Sequence, residues 1–373
     1  VAKQQTTYGE WMVQEGIPIV TGHGVTDVMA LELGDWERLG GRGAYLQLMG
    51  LEGLTGMYVG EIPPGGTLKP EKHMFEELIY VVSGRGAAEV WPGNQDQAQG
   101  RTTFEWKAGS LFAPPANSWH RLFNGSGTEP ARFLAVTTEP IVMDLFHSPD
   151  FVFNCDYAFA DRFNGQSDYY KVGERRFDAD SRNPRMVWET NFIPDVPGAA
   201  LDQGESKGPG NLSTHYEMSG NVLVGHMTEW PVGRYHKAHY HGGGAVLMVV
   251  RSKGYSIMWP SELGLRPYEN GYGDQVVRVD WQVGSVFSPP TGWFHQHFNI
   301  GHEPARQLAL RYGSHNYGVQ FHDVQSRVSC SISTRVGGTL IELEDEDPEI
   351  RRLYQEEIAR LGIEYRMPAL AVA

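Results

Sequence analysis

Five of the chain's fourteen histidines fall in two short stretches: His236, His239 and His241, then His295 and His297. Both stretches read as β-strand with turns at their ends. On a strand, residues two apart point to the same face, so His239 and His241 share a face, as do His295 and His297. Two strands of one small barrel, each aiming a histidine pair inward, make a pocket for a metal ion. Neutral imidazole nitrogen is the usual protein ligand for iron, manganese, zinc, copper or nickel. The competing reading is a set of hydrogen-bonded core or surface imidazoles.

The chain repeats itself. Gly109, Pro115, His120 and Asn124 each sit 175 positions before Gly284, Pro290, His295 and Asn299. The run Glu129 to Arg132 (Glu-Pro-Ala-Arg) recurs from Glu303 to Arg306. A repeat this long means two copies of one domain, since solenoid periods are far shorter. An earlier stretch carrying Glu71, His73 and Glu77, followed by Gly84, stands before the first copy of this pattern as His239 and His241 stand before the second.

Length and composition agree with two domains. The chain has 373 residues, enough for two cores. Its 45 glycines, about 12% of the chain, exceed the usual share near 7%. Glycine-rich, turn-rich sequence with many Val, Tyr, Phe and Trp favours β structure. A net charge of −14 makes nucleic acid and anionic membranes poor partners. Part of that charge lies in the run Glu342 to Asp347, read as a solvated acidic face. The two cysteines, Cys155 and Cys330, are far apart and suit a reducing cytoplasm. The longest apolar run, Ala245 to Val250, is too short to cross a bilayer, and the first residues show no apolar signal core. A cytoplasmic location is the expectation.

The expected organisation is an N-terminal extension over 1–50 packing on the barrels, a first barrel over 51–140 and a connection over 141–215. A second barrel over 216–313 and a C-terminal extension over 314–373 complete it. The run Leu78 to Val82 reads as a buried strand ending in a glycine turn. The connection is too long for a structureless loop, so it should carry helices or packed segments. A helix is expected at about 347–361. Asp347 would cap it, Pro348 would open it, and Ile350, Leu353, Ile358 and Leu361 would form its apolar stripe before Gly362.

The paired motifs resemble those of the cupin superfamily: Gly, His-x-His, a Glu and Gly, then Gly, Pro-x-Gly, His and Asn. The second motif is complete at Gly284, Pro290, Gly292, His295 and Asn299; in the earlier copy only Asn117 departs from it, replacing Gly. The resemblance covers about two-thirds of the chain and implies a mainly β, two-domain bicupin. That fold is two jelly-roll barrels in tandem with a few peripheral helices, as frequent Gly and Pro turns require. It also implies small-molecule ligands and association into homo-oligomers, with the C-terminal helix as a contact.

The resemblance implies a metal on His239, His241 and His295. The family's fourth ligand, a Glu, should lie near Ala245 to Leu247, where no residue can ligate. A three-histidine centre of this kind looks like the iron dioxygenases of the family rather than its four-ligand oxalate decarboxylases. The leading expectation is therefore an Fe(II)-dependent dioxygenase acting with O2 on a small aromatic or enolisable chelator; Mn(II) or another first-row metal fits the same ligands. His297 and Tyr240 are the candidate catalytic residues, and His236 an extra. In the earlier copy Glu71, His73, Glu77 and His120 form a second ligand set. The alternative there is a decayed site that serves packing, with Glu71 in solvent. Two other functions stay open: O2-independent decarboxylase, lyase or isomerase chemistry on a Lewis-acid metal, and a non-catalytic small-molecule-binding bicupin. Arg306 and Arg311 read as surface ion pairs or as binders of a substrate carboxylate.

Overall fold

The apolar run from Leu78 forms strand Glu77–Ser83, with Leu78, Ile79 and Val81 all but inaccessible. Gly84, at φ +89°, turns the chain into strand Arg85–Trp91. The same strand–turn–strand unit recurs as Val246–Arg251 and Gly254–Pro260. The computed structural model describes residues 6–51, 53–96, 99–178, 186–202, 204, 207–317 and 330–370.

Two barrels are built on one plan. In the first, a sheet runs in the order Gly41–Leu48, Gly56–Ile62, Ala131–Thr137, Glu77–Ser83, Leu111–Phe112, Phe192–Ile193. It faces a three-stranded sheet ordered Trp119–Asn124, Arg85–Trp91, Thr102–Lys107. The second barrel repeats both orders: Leu212–Glu217, Leu223–Trp230, Ala305–Tyr312, Val246–Arg251, Val286–Phe287, Gly24–Val25, facing Trp293–Asn299, Gly254–Pro260, Val277–Trp281. Strand Ile19–Gly22 runs parallel to Gly41–Leu48 at the other edge of the first barrel's sheet, and both lie inside the stretch read as N-terminal extension.

The last strand of each sheet comes from outside its own repeat. Phe192 and Ile193, from the connection, pair with Leu111 and Phe112. Gly24 and Val25, from the N-terminal segment, pair with Phe287 and Val286 of the second barrel. The repeated arginines fasten these crossings. Arg132 pairs with Glu61 and donates to the carbonyls of Val28 and Met29. Arg306 pairs with Glu229 at 2.8 Å and donates to the carbonyls of Val196 and Ala199. Arg306 is therefore a buried strap, where a surface pair or a substrate contact was expected. A guanidinium this well buried needs both a carboxylate and carbonyl acceptors.

The largest hydrophobic cluster joins the barrels. It contains Leu46, Leu78, Leu111 and Val136 of the first and Tyr216, Met227, Met248 and Leu310 of the second. The connection carries helices Glu139–Phe146 and Pro149–Asn154, as its length demanded.

Helix Pro348–Arg360 starts where expected, with Asp347 accepting from Glu349 N at 3.0 Å. Its buried stripe is Ile350, Tyr354 and Ile358, while Leu353 and Leu361 are 37% and 38% exposed. The four-residue spacing aligns Tyr354 with its neighbours, and its hydroxyl donates to Asn299 O at 2.9 Å. The helix packs on the second barrel beside Tyr235 and Phe298. The acidic run is only partly solvated. Asp347 is buried as the cap, and buried Glu346 accepts from Tyr235 Oη at 2.7 Å and Gln296 Nε2 at 2.6 Å. Neither Cys155 nor Cys330 is in a disulfide.

Candidate metal centres

His239 and His295 are cross-strand partners, His241 follows, and the three rings converge. Ring centres lie 4.5 Å apart for His239–His295, 4.8 Å for His241–His295 and 5.9 Å for His239–His241. Their potential ligand atoms all fall within 4.8 Å of one another, and among the described residues no carboxylate joins them.

Backbone carbonyls fix the tautomers. His239 Nδ1 lies 3.1 Å from Lys237 O, His241 Nδ1 2.7 Å from Gly242 O, and His295 Nδ1 3.1 Å from Trp293 O. A carbonyl only accepts, so each Nδ1 carries the proton and each Nε2 keeps its lone pair. Burial holds all three rings well below the ordinary histidine value, hence neutral at physiological pH. Neutral, oriented imidazoles with free lone pairs fit a divalent metal.

His297 Nδ1 lies 2.7 Å from Ser256 Oγ, a hydroxyl that can donate or accept and that also accepts from Trp281 Nε1 at 3.0 Å. His297 lies beside His295, with ring centres 5.6 Å apart, outside the converging group of three. His236 is fixed by Asn211, Nε2 to Oδ1 at 2.9 Å, and burial lowers it to about 3. Tyr240 alternates away from its histidine neighbours and packs edge-on against Phe294, ring centres 4.9 Å apart.

In the first barrel His73, Glu77 and His120 converge within the same 4.8 Å limit. His73 Nδ1 is bound to Phe75 O at 2.8 Å and His120 Nδ1 to Ser118 O at 3.2 Å, the same carbonyl device. Glu77 Oε2 lies 3.5 Å from both Nε2 atoms, and Tyr58 Oη donates to its other oxygen. His73 Nε2 and Glu77 Oε2 are buried without a good hydrogen-bond partner. Orphaned polar atoms at such a site need an explanation, and a divalent ion supplies one. Burial pushes the Glu77 carboxyl up, but the facing His120 and His73 outweigh it and hold it below the ordinary carboxylate range. Burial lowers His120, and Glu77 and Glu71 more than reverse that.

Glu71 is not in solvent. Its side chain is 15% exposed, one oxygen is bound to Arg38, and the other lies 3.8 Å from His120 Nε2. Arg38 and Tyr58 carry no motif spacing, so sequence patterns miss them.

The two Pro-x-Gly turns show why one glycine was dispensable. Gly292 has φ +70° and Asn117 φ +55°, both left-handed. Asn tolerates that region better than most residues. Its Nδ2 also donates to Cys155 O at 2.9 Å and Tyr157 O at 2.6 Å, tying down the chain after helix Pro149–Asn154. Asn117→Ala is expected to cost about 2–3 kcal/mol, from two lost hydrogen bonds and a strained backbone. Asn117→Gly should cost less, because only the bonds are lost. Urea unfolding reads both, and equal losses would remove the backbone contribution.

Residues 58–137 match the family model described as a cupin domain. No curated protein matches the chain. Among solved structures, oxalate decarboxylase of Bacillus subtilis is similar at 14% identity and TM-score 0.48, over 85% of this chain and 83% of that one. The Lactobacillus farciminis oxalate decarboxylase formate complex shows 13% identity and TM-score 0.47 over 83% and 90%. Vicilin from hazelnut, Corylus avellana, shows 12% and 0.46 over 89% and 97%. At these TM-scores the likenesses carry no argument about activity. Residues 58–137 form a cupin domain, and the second barrel repeats its strand order.

Proposed function

We propose that the protein is a metal-dependent dioxygenase whose active site is the second barrel, with His239, His241 and His295 as ligands. One observation carries this reading: three neutral imidazoles, each with Nδ1 pinned to a carbonyl, converge with no carboxylate among the described residues. Fe(II) held there would offer positions for a chelating substrate and O2 and would pass electron density from the substrate to O2. The chain's residues do the rest. Carbonyl-anchored rings hold the ligand geometry without rearrangement. His297, held by Ser256 and Trp281, would exchange a proton with a substrate oxygen. Neutral ligands leave the full dipositive charge to draw a phenolate or enolate.

Turnover of a catechol or enolisable diketone is expected in air with Fe(II) and at background without O2. Equal turnover under nitrogen would reject the dioxygenase reading.

A second reading is supported by the first barrel. His73, Glu77 and His120, with Glu71 at hand, offer mixed imidazole and carboxylate donors of the kind Mn(II) or Fe(II) accepts. Lewis-acid decarboxylase, lyase or isomerase chemistry would suit that set. Metal content retained in His239→Ala, together with O2-independent turnover, would move the activity to that barrel.

A further inference from the structure

Beside the first barrel's Glu77 cluster lies a cavity of about 360 Å³ lined by Trp11, Arg38, Glu71, Lys72, Trp119 and Phe153. It has aromatic walls, two cations and, besides Glu71, the carboxylate of Asp150. Arg38 is fixed from one side, because its Nε donates to Glu15 Oε2 at 2.7 Å. Its guanidinium carbon lies 4.9 Å from the Phe153 ring centre and 5.8 Å from that of Trp11. Lys72 Nζ donates to Cys155 O at 2.8 Å and sits 5.2 Å from the Trp119 ring centre.

Glu71 stands between two claimants. One oxygen accepts from Arg38 Nη1, and the other lies 3.8 Å from His120 Nε2. A metal on His73, Glu77 and His120 would compete with Arg38 for this carboxylate.

We propose that this cavity binds a planar aromatic carboxylate, which takes Glu71's place on Arg38 while Glu71 turns onto the first-barrel metal. The inference rests on the reading that the first barrel holds a metal. A guanidinium fork matches a carboxylate, and Glu71 already shows that this edge of Arg38 takes one. The aromatic walls suit a flat apolar body. Glu71 and Glu77 would neutralise a divalent ion while Glu15 keeps its pairing with Arg38, and the ligand's charge would face Arg38 and Lys72, the latter 3.9 Å from Asp156. Because Glu71 is shared, metal and ligand must help each other by the same factor.

Calorimetry with benzoate as the probe and benzamide as the uncharged control tests this. Benzoate is expected to bind wild type at least about tenfold more tightly with Mn(II) than without, a coupling of ordinary size. Glu71→Gln should bind benzoate at the tighter level without Mn(II). Arg38→Lys should lose benzoate in every state, and benzamide should bind in none. Failure of benzoate to bind both Mn(II)-loaded wild type and Glu71→Gln would overturn the proposal. Undiminished binding by Arg38→Lys would do the same. If Mn(II) leaves wild type unchanged while Glu71→Gln binds in an Arg38-dependent way, the metal reading of this barrel falls and the carboxylate pocket stands.

Discussion

His239→Ala is expected to lose its second-barrel metal while His297→Ala, only a short step along the neighbouring strand, keeps it. The two histidines face the same interior but are held differently. His239 offers Nε2 as a lone pair because Lys237 O takes the Nδ1 proton. His297 is held at Nδ1 by the Ser256 hydroxyl and stands outside the converging group of three. Loss of a residue that merely orients a ligand costs about 10–100-fold in metal affinity, so loss of one ligand of three should exceed that. Elemental analysis of protein purified without chelators reads the result. Iron in wild type and in His297→Ala, absent from His239→Ala and His295→Ala, is the expected pattern. Metal lost equally from all three variants would mean that His297 ligates as well. No metal in wild type would leave the non-catalytic bicupin as the reading.

Acid is expected to destabilise the metal-free protein steeply below about pH 6.5. Five buried imidazoles in the second barrel are held below the ordinary value: His236, His239, His241, His295 and His297. Burial is the largest cause in each, and neighbouring cations and imidazoles add to it. As pH falls through 6.5 the unfolded chain takes up a proton at each ring and the folded chain does not. Stability is therefore full above that window and falls with acid. Each ring contributes a slope of about 1.4 kcal/mol per pH unit, so five together approach about 7 kcal/mol between pH 6 and 5, comparable with the whole stability of a domain. Urea midpoints across this range measure it. A flat profile from pH 7 to 5 would show that these rings titrate near the ordinary histidine value in the folded protein, contrary to their burial. Glu77 contributes in the same direction at lower pH, since its depressed value stabilises the fold until the carboxylate is protonated.

The architecture was legible because its signals are local and repeated. The 175-residue register preserves the turns that aim His120 and His295 and marks two copies of one domain, while the barrels followed from the resemblance of the motifs. The stretch with His239 and His241 reads as a strand in sequence; it is an irregular segment joined to His295 by the single bridge at His239, and both side chains still reach His295. What escaped has no local signature. Tyr58 reaches Glu77 from another strand, and Arg38 reaches Glu71 from the N-terminal segment. The edge strands Gly24–Val25 and Phe192–Ile193 have two residues each, too few to show a period. The helix stripe was misread at Leu353 because residue type was weighted above geometry, while Tyr354 took the buried face.

The crossing edge strands have a consequence for what counts as one folding unit. The N-terminal segment closes the second barrel at Phe287 and is then strapped by Arg132 of the first; the connection closes the first barrel at Phe112 and is then strapped by Arg306 of the second. Two single-barrel subunits trading arms would make the same contacts between separate molecules. This chain is a domain-swapped dimer written on a single polypeptide. Cutting it between the repeats would not release two modules but two open sheet edges, each competent to pair with a stranger.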